Sequence, residues 1–85
     1  MKKTSPALEY MIEWAVPEAY DSDRVLRQLP SPISSHMREI YNYAVRRDGF
    51  YLIDRGVDRT VSAVVLKIFV DEALAQSGSV TVRRL

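Results

Sequence analysis

Eighty-five residues, 47% apolar and 27% charged, describe one small globular domain with room for a single core and none for an elaborate cleft. A net charge of +1 gives the chain as a whole no built-in attraction to phosphate backbones, although nine of its twelve cations are arginine, the side chain suited to planar contacts with carboxylate or phosphate. The lack of cysteine and the single histidine exclude disulfides, thiolate zinc sites, a cysteine nucleophile and a multi-histidine metal centre.

Residues 1–6 read as a flexible tail. Met1-Lys2-Lys3 is basic, but Thr4-Ser5-Pro6 follows in place of an apolar run, so neither a signal peptide nor a membrane span is expected and the cytoplasm is the default compartment. Residues 7–85 form the single expected domain. Over residues 8–16, Leu8, Tyr10, Ile12, Trp14 and Val16 alternate with Glu9, Met11, Glu13 and Ala15, the pattern of a half-buried strand that Pro17 ends. Trp14 shares its face with four other apolar residues and reads as a core anchor. A short helix is expected over residues 22–29, with Val25, Leu26 and Leu29 on its apolar side and Pro30 as its stop. Pro30-Ser31-Pro32 is a connector.

Residues 33–47 support two readings. As a helix, Ile33, Met37, Ile40, Tyr41, Ala44 and Val45 make a stripe, capped at Ser34 or Ser35 and closed by Gly49. As a strand, Tyr41, Tyr43 and Val45 alternate with Asn42, Ala44 and Arg46, and Asp48-Gly49 supplies a hairpin turn into residues 50–54. That turn would set Arg47 opposite Phe50, Val45 opposite Leu52 and Tyr43 opposite Asp54. The strand is the favoured reading.

The longest helical signal covers residues 58–78. Asp58 or Thr60 can cap it, Gly78 can stop it, and neither Pro nor Gly interrupts it. Val61, Val64, Val65, Ile68 and Phe69 form one stripe, while Leu66, Val70, Ala73 and Leu74 widen the apolar arc until only a narrow polar sector around Lys67 and Asp71 remains. So wide an arc is covered either by a sheet and a second helix of the same chain or by a partner. Residues 79–84 alternate again, with Val80 and Val82 pointing inward and Thr81 and Arg83 outward.

The expected fold is an α+β two-layer sandwich, a small and mostly antiparallel sheet of three or four strands with two or three helices on one face. The strand reading gives the ferredoxin-like order βαββαβ, and the helical reading gives βααβαβ. In the first arrangement residues 58–78 cross between two parallel strands with the first strand between them. Its open sheet face would carry an apolar patch of Met11, Tyr51 and Ile53. That patch, with Leu66 and Val70 on the long helix, is the expected partner surface, and the expected partner is a second copy of the chain or another protein.

The arginines Arg46, Arg47, Arg55 and Arg83 are the candidate contacts for an anion or nucleic acid. Arg47-Asp48-Gly49-Phe50-Tyr51 resembles the basic-Gly-aromatic signature of RNA-recognition domains, which stack bases on aromatics of an open sheet. Here Asp48 interrupts it, and Glu9 and Glu13 would repel phosphate. An alternative is therefore that Arg83 and Arg46 pair with those glutamates across the sheet. In length and order the layout is also similar to small ferredoxin-like nucleases of bacterial defence and toxin–antitoxin systems, with no shared residue pattern and so no implied catalytic residue.

Asp54 and Asp58 frame a loop that could hold Mg²⁺, against the alternative that Asp58 caps the helix and Asp54 pairs with an arginine. His36 follows Ser34-Ser35, but adjacent residues do not present a nucleophile and its base in attack geometry. No catalytic, cofactor-binding or metal-ligating residue is therefore assigned. The sequence reads as a non-enzymatic, self-associating interaction module, with nucleic-acid binding or a small nuclease as the alternative.

Overall fold

The alternating segment near the start becomes β1 (Leu8–Glu13), and it lies in the interior of a four-stranded antiparallel sheet. A computed structural model describes residues 7–30 and 35–85, with the backbone alone at residues 35 and 36. The tail expected over residues 1–6, Ser31 and Pro32 of the connector, residues 33 and 34, and the His36 side chain lie outside the described residues. After β1 come α1 (Asp23–Leu26), α2 (Ser35–Arg38), β2 (Tyr41–Arg46), β3 (Gly49–Asp54), α3 (Arg59–Ser77) and β4 (Thr81–Arg84). The sheet order is β2-β3-β1-β4. Because β3 and β4 both run antiparallel to β1, they are parallel to each other, and α3 is the crossover between them.

The ambiguous residues divide. A single helical turn, α2, takes up residues 35–38, and from Tyr41 the chain is a strand paired along its length with β3. Tyr41, Tyr43 and Val45 win this contest because their alternating side chains find a buried sheet face, where β-branched and aromatic residues fit best. The hairpin register departs from expectation by two residues. Val45 faces Phe50, Tyr43 faces Leu52 and Tyr41 faces Asp54, leaving Arg47 and Asp48 as the turn.

Gly49 causes the shift. It sits inside β3 at φ +143°, opposite Glu13 of β1. A Cβ there would lie within the Ile12 carbonyl oxygen and 2.9 Å from its carbonyl carbon. The glycine is thus used for close strand approach and not for the turn. The backbone N–H groups of Trp14 and Val16, just beyond β1, donate to the carbonyls of Asp48 and Arg47 at 3.1 Å each and hold the turn against the sheet. A shift of two residues preserves strand parity, so the expected faces survive.

On the helix-side face an aromatic chain forms the centre of the core. Trp14 and Phe50 lie 5.3 Å apart between ring centroids, Phe50 and Phe69 4.9 Å, and Phe69 and Tyr43 5.7 Å. Such tilted pairs add to the area each ring removes from water. Burial raises the pKa of Tyr41 to about 12, and its hydroxyl donates to the Pro30 carbonyl at 3.2 Å.

The helix α3 keeps its expected punctuation. Asp58 Oδ1 accepts the Val61 N–H at 3.2 Å, and Gly78, left-handed at φ 80°, donates its N–H to the Leu74 carbonyl at 2.8 Å. Val65, Phe69 and Ala73 face the sheet, fully buried. On the outer side Lys67 and Asp71 form an exposed ion pair at 2.7 Å, worth about 0.3–0.5 kcal/mol. The second layer is thinner than expected. In place of a helix over residues 22–29, α1 is four residues long and continues as turns to Leu29, so it covers only one flank of α3.

Candidate functional site

The face of the sheet away from α3 can be read from the register in three rows. Ala44, Tyr51, Met11 and Arg83 form the middle row, while Arg46, Gly49, Glu13 and Thr81 lie toward the turn. Asn42, Ile53 and Glu9 lie toward the other end. The expected apolar patch is here, but Met11 is not exposed. Flanked by Tyr51 and Arg83, it retains 5% of its accessible surface. Tyr51 and Ile53 are half-buried. Tyr51 donates its hydroxyl to Glu9, and that bond raises the phenol pKa. The Arg46 guanidinium lies 4.3 Å from the centroid of the Tyr51 ring.

The four candidate arginines are dispersed. Arg83 pairs with Glu13 at 3.3 Å, as the alternating charges suggested, whereas Arg46 takes the Tyr51 ring in place of a glutamate. Arg55, at the opposite end of the hairpin, donates to Asn42. Arg46 and Arg47 meet at a groove of about 570 Å³ that includes Val16, Pro17 and Tyr20. Arg83 is on the far edge strand, three strand spacings or about 14 Å from β2. They form no common anion site.

The Asp54–Asp58 loop resolves into local structure. Asp58 is the cap of α3, and Asp54 Oδ1 accepts from the Gly56 N–H and the Ser62 hydroxyl, each at 2.8 Å. The partner of Asp54 is therefore a buried serine and a turn amide, not the expected arginine. Among the described residues, no three carboxylate or histidine side chains are grouped to hold a metal ion.

One polar cluster was not anticipated. Glu72, 4% exposed, lies between α3 and α1. Its Oε2 accepts from the Tyr20 hydroxyl at 2.7 Å and Arg24 Nε at 3.2 Å, and its Oε1 accepts from Gln28 Nε2 at 3.3 Å. The sequence did carry a signal, since Glu72 stands three residues after Phe69 and seven after Val65, on the buried stripe. Burial opposes ionisation of Glu72, but the bonds from Tyr20, Arg24 and Gln28 and the Arg24 charge outweigh it and hold the pKa below the ordinary glutamate value. Burial, followed by the bond to Glu72, raises the pKa of Tyr20. A carboxylate so occupied is a weak base and a firm tie between helices.

The sign of its pH effect follows from the lowered pKa. Glu72 contributes stability that is fully present above its unfolded pKa and is lost as pH falls through the lower folded value. Glu72→Gln is expected to lose about 1.5–3 kcal/mol at neutral pH and to flatten the acid limb of the stability profile. Urea titrations of both proteins between neutral and acid pH check this, and parallel profiles would contradict it.

The remaining expected partner residues, Leu66 and Val70, are on the other layer. Leu66 reaches a groove of about 300 Å³ shared with Leu8 and Tyr10 of β1. Val70 and Leu74 continue the same flank at successive four-residue steps. On β4, Val82 sits opposite Ile12 and so on the helix-side face, as expected, yet it is 45% exposed. All four residues of β4 are exposed, and Leu74 retains 41% of its surface. The exposed apolar side chains here are thus Leu74, at the end of a flank whose Leu66 and Val70 are half-buried, and Val82 on β4; Leu66, Val70 and Leu74 all belong to the wide arc expected from the sequence. No helix among the described residues is long and apolar enough to cross a membrane. Comparison with family models, with curated proteins and with solved structures finds no match to this chain.

Proposed function

We propose that the chain is a non-enzymatic protein-interaction module that associates with a second copy of itself, on a ferredoxin-like βαββαβ frame. The order β2-β3-β1-β4 and the crossover α3 support that frame. The observation that carries the function is the exposure of Leu74, which continues the half-buried Leu66 and Val70 on one flank of α3, together with that of Val82 on the edge strand β4. A helix as apolar as α3 is ordinarily covered on more than one side, and α1 covers only the flank bearing Glu72. Exposed apolar surface of this kind favours association.

Sedimentation velocity at micromolar to submillimolar concentration tests the proposal. The wild type is expected to form a reversible dimer. Leu74→Lys, at an exposed position, is expected to keep the circular dichroism of the wild type and to weaken association by at least about tenfold. A wild-type chain that stays monomeric throughout that range would remove the proposal.

A further inference from the structure

β4 closes one edge of the sheet and is bonded to β1 alone. The Leu85 N–H donates to the Glu9 carbonyl at 2.8 Å, which fixes the parity of the edge. Residues 81, 83 and 85 turn their backbone groups inward to β1, so residues 80, 82 and 84 turn theirs outward. An edge of this kind is a template for another strand.

Its sequence restricts which strand fits. A two-fold axis through Val82 sets Val82 against Val82, Thr81 against Arg83 and Val80 against Arg84, and the outward backbone groups of Val82 bond directly to their counterparts. An axis through Arg83 would set two arginines face to face, which destabilises a strand pair. The Val82 register also matches charge. It places the second copy's Arg83 in the same row as Glu13 and Thr81, two strand spacings or about 10 Å from Glu13, within the combined reach of the two long side chains. Glu13, which already meets its own Arg83 at 3.3 Å, then lies between two cations. On the helix-side face, which Val82 shares with Ile12, the two Val82 side chains meet.

From this we infer that two copies join through β4 as an antiparallel pair centred on Val82, making one continuous eight-stranded sheet. The inference rests on the self-association proposed above and adds its surface and register.

Because the chain contains no cysteine, the register can be read by cross-linking. Thr81→Cys and Arg83→Cys are each made in the full chain, shown by circular dichroism to be folded, then mixed and mildly oxidised. Directly opposed positions 81 and 83 stand about 4.5 Å apart between Cα atoms, whereas 81 to 81 or 83 to 83 is about 8 Å, beyond disulfide reach. The mixture is expected to give the mixed disulfide dimer at least about tenfold faster than either variant alone forms its own. Dimers in sedimentation without that preference, or faster linking of Arg83→Cys to itself, would overturn the β4 register and leave self-association standing. A chain that is monomeric in sedimentation and gives no cross-link would overturn both.

Discussion

Gly49→Ala is expected to cost about 3 kcal/mol or more, a large share of what a domain of this size has. The added methyl would overlap the Ile12 carbonyl, a backbone group that cannot rotate away, at φ +143° where alanine is itself strained. Either β3 separates from β1 or the turn at Arg47-Asp48 gives up the bonds it receives from Trp14 and Val16. Both routes open the interior of the sheet. In a thermal melt the transition should fall by at least about 12 °C. Gly78→Ala is the control, because a Cβ there meets nothing within 4 Å and only the left-handed backbone at φ 80° resists it. That substitution should cost about 1–2 kcal/mol. Equal losses at the two positions would mean that the approach of β3 to β1 at Gly49 is not as close as described.

Phe69→Ala carries the second large effect, an expected loss of about 3–5 kcal/mol. Phe69 is fully buried and its ring touches both Phe50 and Tyr43, so it joins α3 to both strands of the hairpin. Those rings belong to a paired sheet that cannot collapse into the space, and the cavity cost adds to the lost burial. Phe69→Leu, which restores most of the volume, should cost about 1.5 kcal/mol or less. Urea unfolding should show a lower midpoint with an unchanged slope for both variants. Association should weaken as well, since Phe69 sets the height of α3 over the sheet and hence the position of Val70 and Leu74. An alanine variant within about 1 kcal/mol of wild type would mean that the layers can close the gap, and the rigidity assigned to this contact would be wrong.

The alternation of residues 8–16, the Asp58 and Gly78 boundaries of α3 and the shared face of Val45, Phe50 and Leu52 were all legible in the chain. Each depends on neighbours in sequence or on strand parity, and parity survives an error of two residues in register. The actual register was not legible, because Asp48-Gly49 has turn chemistry and only the nearness of the Ile12 carbonyl shows that Gly49 is needed within the strand. Met11 was misread for a related reason. Alternation puts it on the outer face, but Tyr51 and Arg83 from the two neighbouring strands bury it there. Of the nine candidate site residues, Leu66, Val70 and Arg83 lie on the surfaces now proposed for association. Leu74 belongs to the wide apolar arc that the sequence already shows, whereas Val82 reads there as an inward-pointing residue and is exposed.

The sequence by itself determined the local elements of this protein: where α3 begins and ends, which strands alternate, and that no thiol or multi-histidine chemistry is open to it. Caps, periodicity and composition are properties of adjacent residues, and they persist whatever lies across the sheet. Tertiary structure decided between the two readings of residues 33–47 in favour of the preferred strand, and it alone decided that Glu72 is buried with Tyr20 and Arg24 and that β4 and Leu74 stand exposed. Each of those outcomes depends on what a distant segment brings to the same place, and α1, at one turn, is too short to reach both sides of the long helix.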